Sequence, residues 1–262
     1  MTMDYRNRMT NPGTPLLLDV LRTEGQRIAS MPADALAAPV PSCPGWTLEH
    51  VVRHTGKVHL WVTAVMQAGP GAALDQARPA RQMPRGPECL DAYRSAHESM
   101  MTEFEQRDLD EPAPTFVGPA TARWWVRRQA HEATVHRFDA ADAVHTAGGP
   151  LPEPADPTAA ADGVDEWIRA MASRFLGAGQ VPESLLGRTV HLHGTDTGDA
   201  EWLLAFTDDG MSVTTEHTKA DVALRGSAEQ LLLAVWRRRP LDSLQLFGDA
   251  AVAEALLDTV QV

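Results

Sequence analysis

Cysteine is nearly absent from this chain. The two present, Cys43 and Cys89, stand far apart and form no CxxC pair, which excludes a disulfide framework and a cysteine-rich zinc module. Any metal must then rest on histidine and carboxylate ligands. Basic residues are in deficit: 23 Lys and Arg face 35 Asp and Glu, a formal charge of −12, and only Lys57 and Lys219 are lysines. Nucleic acid and anionic membranes both need a basic face on the protein they meet, so neither is an expected partner. A small anion could still meet a local arginine cluster. Long apolar runs are missing too. No window approaches the roughly 18 consecutive apolar residues of a membrane span, and the opening MTMDYRNRMTNPGTP lacks the apolar stretch of a signal peptide. The expectation is a cytoplasmic protein.

What is present suffices for two cores. At 262 residues with 44% hydrophobic content, two domains of ordinary size can each bury an apolar interior. Helical spacing dominates the first half. Thr14-Pro15 opens a helix over 14–31 with Leu17, Leu18, Leu21 and Ile28 on one stripe. Thr47 is an N-cap candidate for a second, along which Leu48, Val51, Val52, His59 and Val62 recur at helical spacing. After the Gly/Pro/Arg-rich connection 69–87, a third helix is expected over 90–107 with Tyr93, Met100 and Phe104 inward, and a fourth over 121–147. The run Gly148-Gly149-Pro150-Leu151-Pro152-Glu153-Pro154 can continue neither a helix nor a central strand and marks a boundary. Beyond it, a helix over 158–177 precedes short β-like runs at 189–193, 201–207, 211–216 and 221–225, and two helices over 228–237 and 249–260 close the chain. The reading is α+β: a helical bundle over 1–148, then a smaller α+β domain over 155–262.

Chemistry concentrates between Trp124 and Asp139. Glu132 and His136 lie roughly 40° apart around a helix and one turn above the other, so both can reach one ion. His131 points elsewhere. The string His131-Glu132-x-x-x-His136 is one residue too long for the zincin motif, whose histidines stand at i and i+4, so a protease reading fails on spacing. Two ligands leave a site incomplete, and bundles recruit more from a facing helix. His50 and His54, one turn apart on the second helix, both qualify by spacing. A purely structural alternative pairs Glu132 with Arg128, four residues back. Elsewhere, Cys43 within Cys43-Pro44-Gly45-Trp46 reads as part of a packed turn rather than as a nucleophile. Trp46, Trp61, Trp124 and Trp125 read as bundle core. His191 and His193 share one strand face and could bind metal, but the sequence shows no third partner for them.

Taken together, these residues resemble a known family. Cys43-Pro44-Gly45-Trp46-Thr47, then His54-x-Gly56-x-x-His59, then Arg128-x-x-His131-Glu132-x-x-x-His136-Arg137-x-Asp139-Ala140 are similar in order and spacing to the mycothiol-dependent maleylpyruvate isomerases, a branch of DinB-like metal proteins. Ala220-Asp221-Val222, Gly226-Ser227, Leu231-Leu232-Leu233, Trp236-Arg237-Arg238 and Gly248-Asp249 are similar to that family's C-terminal, sterol-carrier-like domain. The resemblance covers nearly the whole chain. It implies a DinB-like four-helix bundle followed by a sterol-carrier-like α+β domain, zinc held by His54, Glu132 and His136, and mycothiol as the thiol cofactor. Ligand chemistry alone would also admit nickel or iron. The chain departs from the family pattern at Thr55, where Leu is usual, and at Arg237, where Gly often precedes a functional arginine, here Arg238.

Three protein ligands leave zinc a fourth, exchangeable position, the mark of a catalytic site. On the resemblance, mycothiol takes it: a free thiol with a pKa near about 8.5 is mostly protonated at neutral pH, whereas a zinc-bound thiol is deprotonated. Addition of the thiolate to a double bond conjugated to a carbonyl permits rotation and expulsion of the thiol, a cis–trans isomerisation of a maleylpyruvate-like acid. Where the adduct persists, the reaction is S-transfer. The substrate is thus a small electrophile, and an acidic one calls for a planar guanidinium, for which Arg238 is the candidate, with Arg237 and Arg239 as its neighbours. Asp139, one turn beyond His136, either orients that ligand or pairs with a nearby arginine. Two other classes stay open. A metal in the same pocket can activate water and make a hydrolase, and a carrier-like domain on a helical bundle can be a non-enzymatic carrier or a zinc-dependent regulator, although the CxxC of zinc-binding anti-sigma factors is missing.

Overall fold

The computed structural model describes residues 12–71, 73–75, 82–198 and 200–261. The first eleven positions, read above for a leader, and positions 72 and 76–81 of the connection 69–87 lie outside them. Two compact units emerge, Gly13–Pro154 and Ala155–Val262.

The first unit contains four long helices: α1 (Gly13–Ala29), α2 (Leu48–Ala68), α3 (Glu88–Gln106) and α4 (Ala122–Thr146). The apolar stripes expected from spacing are buried at Leu17, Leu21 and Ile28 on α1, Val51, Val52 and Val62 on α2, and Tyr93, Met100 and Phe104 on α3, while Leu18 at the edge of the α1 stripe is half-buried. α4 is unusual because its polar residues are interior: Arg128, Gln129, His131, Thr134, His136, Arg137 and Asp139 are all buried. Such groups must find partners inside the protein. Arg137 finds Glu24 of α1, with Nε on Oε2 and Nη2 3.5 Å from Oε1, and its Nη1 donates to the Glu153 carbonyl at 2.6 Å.

Between α3 and α4 lies a hairpin absent from the sequence reading, β1 (Pro112–Thr115) with β2 (Gly118–Thr121). Its Pro112, Pro114 and Pro119 argue against a central strand. In a two-stranded ribbon every strand is an edge, so the missing N–H groups can face outward. The Trp125 indole fixes the hairpin to α4 by donating to the Pro114 carbonyl at 2.9 Å, and Trp61 and Trp124 meet Trp125 edge to face. Of these three tryptophans, all expected in the core, Trp125 is fully buried, whereas Trp61 and Trp124 are only half-buried.

The second unit begins with α5 (Pro157–Glu166), capped by Asp156, whose side chain accepts the Ala159 N–H. The single helix expected over 158–177 ends sooner: a π-helical turn follows at Trp167–Met171 and a 3-10 turn at Ala172–Arg174. The sheet comprises β3 (Thr189–Gly194), β4 (Glu201–Thr207), β5 (Gly210–Thr214), β6 (Val222–Gly226) and β7 (Gln245–Gly248), in the order β5-β4-β3-β6-β7. Only the β3–β6 pair is parallel. α6 (Ala228–Val235) and α7 (Ala250–Thr259) complete the unit. Strand alternation buries Val190 and Leu192 of β3, Trp202, Leu204 and Phe206 of β4, and Val222 and Leu224 of β6. The fold class is therefore α+β, a four-helix unit followed by a smaller mixed one. No helix among the described residues is long and apolar enough to cross a membrane.

Candidate metal centre

His54 on α2 meets Glu132 and His136 on α4. Glu132 Oε1 lies 3.2 Å from His54 Nε2 and 3.2 Å from His136 Nε2, and one donor atom from each residue falls within 4.8 Å of the others. Ligand atoms about 2.1 Å from a tetrahedral ion stand roughly 3.4 Å apart. The two contacts to Oε1 thus match the spacing of ligands around one ion, and the residues fit a divalent metal. The helix cap separates the two histidines that spacing left open. His50 is the third residue of α2, and its Nδ1 accepts the Thr47 backbone N–H at 3.1 Å, a capping-box role. His54, one turn later, faces α4.

Two of the three candidate ligands, Glu132 and His136, are held from behind. Glu132 divides its oxygens, with Oε2 paired to the Arg128 guanidinium while Oε1 serves the two imidazoles. The pairing with Arg128 and the metal reading are therefore compatible. His136 Nδ1 is 2.9 Å from Asp139 Oδ2, and the Ser42 hydroxyl donates to Asp139 Oδ1 at 2.8 Å. An Nδ1–H shared with Asp139 leaves the Nε2 lone pair directed at the centre. Burial opposes the charged form of Glu132, yet His136 and Arg128 hold its carboxyl well below the usual carboxylate range. Burial opposes charge on His136 as well, but Glu132 and Asp139 overcome it and raise the imidazole to about 9. The pocket thus favours a positive charge between Nε2 and Oε1, the place an ion would take.

Trp46 is half-buried against the core, as expected of it, and its ring also meets the candidate ligands. The turn formed where the Val40 N–H donates to the Trp46 carbonyl at 3.0 Å and the Trp46 N–H to the Cys43 carbonyl at 2.9 Å folds the indole back over the ligands. Its ring centroid lies 5.2 Å from that of His54 and 6.2 Å from that of His136, the latter nearly parallel at 8°. Cys43 serves this turn through its backbone. Thr55, the departure from the family pattern, is buried, with its hydroxyl bonded to the Val51 carbonyl at 2.9 Å.

Arg238 lies in the second unit, just past α6, where its N–H meets the Leu233 carbonyl at 2.7 Å and its Nη1 the Trp236 carbonyl at 2.8 Å. Arg237 before it has φ 58°, the left-handed conformation that ends many helices and favours glycine. The frequent Gly of the family pattern has its physical reason there. The Arg237 guanidinium is committed to α7, donating to the Leu257 carbonyl at 3.1 Å and pairing with Asp258.

Comparison with known proteins bears on both units. Residues 21–141 match the family model described as Mycothiol maleylpyruvate isomerase N-terminal domain, and residues 158–255 match the MDMPI C-terminal domain. The solved structure of the mycothiol-dependent maleylpyruvate isomerase superposes at a TM-score of 0.62 and 12% identity, covering 92% of this chain and 95% of that one. A histidine-to-alanine mutant of that enzyme gives 0.63 at the same identity and coverage. At such identity the likeness shows the fold alone. No curated protein sequence matches the chain. Matched in order by both domain models of one family, and sharing its fold over nine-tenths of its length, the chain belongs to the mycothiol-dependent maleylpyruvate isomerase family.

Proposed function

We propose that this protein is a zinc-dependent, mycothiol-using enzyme acting on a small electrophile of maleylpyruvate-like chemistry, by cis–trans isomerisation or by transfer of the thiol. One observation carries the reading: a single carboxylate oxygen, Glu132 Oε1, stands 3.2 Å from imidazole nitrogens on both α2 and α4. His54, Glu132 and His136 would hold the ion, leaving a fourth position at which it supplies the means to keep a thiol deprotonated near neutral pH. The chain's own residues do the positioning. Asp139, backed by Ser42, keeps His136 Nε2 aimed inward; Arg128 restrains Glu132; Trp46 stacks against the His136 ring. Arg238 is proposed to take a substrate carboxylate in its planar fork. The similar solved protein is named as mycothiol-dependent, and mycothiol enters the proposal from that name.

Elemental analysis of the wild type and His136→Ala, purified side by side without chelators, tests the centre. The variant should hold about one zinc per chain fewer. Equal zinc content in the two would overturn the assignment. Turnover of maleylpyruvate that needs added mycothiol supports the thiol chemistry, whereas thiol-independent hydrolysis would favour water activation in the same pocket.

A further inference from the structure

We propose that His191, His193, Glu201 and His217 form a second divalent-metal site, a four-ligand zinc site of structural type in the α+β unit. Sequence placed His191 and His193 on one strand face without a third partner; the sheet supplies Glu201 and the segment after β5 supplies His217. Alternation along β3 sends Val190 and Leu192 to the buried face and the two histidines to the other. Glu201 opens β4 directly opposite His193 in the ladder, so its carboxylate stands on the same face. His217 arrives from the segment that leaves β5. One oxygen, Glu201 Oε1, lies 3.0 Å from His191 Nε2 and 3.0 Å from His193 Nδ1, and it also contacts His217 Nδ1.

The three imidazoles are arranged around a point. Their centroids form a near-equilateral triangle with sides of 5.9, 5.5 and 5.6 Å, and the rings meet at 68° to 83°. Rings bound to one tetrahedral ion at ~2.1 Å per nitrogen would have centroids roughly 5.3 Å apart. The observed sides of 5.5 and 5.6 Å come close to that, and the His191–His193 side of 5.9 Å is somewhat longer. One ligand atom from each of the four residues lies within 4.8 Å of the others. Three imidazoles and a carboxylate suit zinc, with copper(II) the strongest competitor by affinity. Four protein ligands fill a tetrahedral shell and leave no exchangeable position, which separates this site in kind from the three-ligand centre.

The site also has a structural use. β5 and β6 run in the same direction, since β5 is antiparallel to β4, β4 antiparallel to β3, and β3 parallel to β6. Parallel strands are ordinarily joined by a dozen or more residues, often through a helix. Here residues 215–221 make the return without one. Their far end is anchored by Asp221, which accepts from the Thr189 N–H and hydroxyl at 2.8 Å each. His217 is the point at which the rest of this strap meets the sheet, and an ion on Glu201, His191 and His193 would fasten it there.

The probe is zinc itself, titrated into the full chain after chelator treatment, for four proteins: wild type, His54→Ala/His136→Ala, His191→Ala/His193→Ala, and His217→Ala. The wild type should take about two zinc ions, and each double variant about one. His217, with 74% of its side chain exposed, can be replaced without disturbing a core, and His217→Ala should bind its second zinc at least ~10-fold more weakly. Lys219 adds a readout independent of stoichiometry: zinc should slow lysine-specific proteolysis at Lys219 several-fold in the wild type and not in His217→Ala. A folded His54→Ala/His136→Ala protein that binds no zinc, or a His217→Ala protein indistinguishable from wild type in zinc affinity and proteolysis, overturns the proposal. If wild type and His54→Ala/His136→Ala each bind one zinc, the three-ligand centre has failed and this site stands.

Discussion

Asp139 is the residue at which the proposed metal centre is most simply tested from behind a ligand. It joins His136 Nδ1 at 2.9 Å and is itself held by Ser42, so replacing it frees the imidazole to rotate and to take the wrong tautomer. Asp139→Ala should weaken zinc binding at this centre by ~10- to 100-fold, read by competition against a chromophoric chelator in the His217→Ala background. Unchanged affinity would reduce Asp139 to a packing role. At this scale the sequence was legible where periodicity speaks: Glu132 and His136 one turn apart, and Asp139 one turn on. The family resemblance singled out His54, and only the cap at Thr47 shows why His50 is not available. Ser42 and Trp46 reach the ligands through an irregular turn, and no spacing rule predicts where an irregular turn sends a side chain.

Between elements, two contacts of α1 test how the bundle is held. The Glu24–Arg137 pair joins α1 to α4 with both residues almost fully buried. Removing one partner leaves a buried charge uncompensated, so Glu24→Ala should cost about 3–5 kcal/mol in urea unfolding, whereas a surface pair such as Arg22–Asp19 should cost less than about 1 kcal/mol. Gly25 is the second contact. Alanine in place of a mid-helix glycine ordinarily gains roughly 0.5–1 kcal/mol. Here a Cβ would stand 2.1 Å from Cε1 of the His97 ring, so that buried ring must shift to admit it. Overpacking costs typically about 1–3 kcal/mol, so Gly25→Ala should destabilise; a gain in stability would show that α3 yields. Long amphipathic helices and alternating strands were readable to within a few residues because their faces are set by burial. The β1–β2 hairpin was hidden by its prolines, and β7 by a four-residue length too short for a pattern.

Across the molecule, the surplus of acidic groups would suggest that carboxylates alone govern stability in acid, yet the helical unit also hides two histidines that respond to pH in the same range. His59 and His97 lie in the core with Tyr93, ring centroids 5.3 Å from His59 to each of the others. Neither ring nitrogen of His59, nor the Tyr93 hydroxyl, has a hydrogen-bond partner among the described residues. Burial pushes His59 down to about 3 and His97 down to about 4. Both are therefore neutral in the folded protein at pH 5, whereas an unfolded chain protonates them below about 6.5. The unfolded state binds more protons, so stability is complete above that value and falls as pH drops from about 6.5 towards 4. For each histidine the loss between pH 7 and pH 5 is about 2 kcal/mol. His59→Leu and His97→Leu should each remove that share, so that stability measured by urea unfolding falls less between pH 7 and pH 5 in either variant than in the wild type. A parallel fall in all three would mean that these rings take up protons while folded, which requires water or a side-chain rearrangement to reach them.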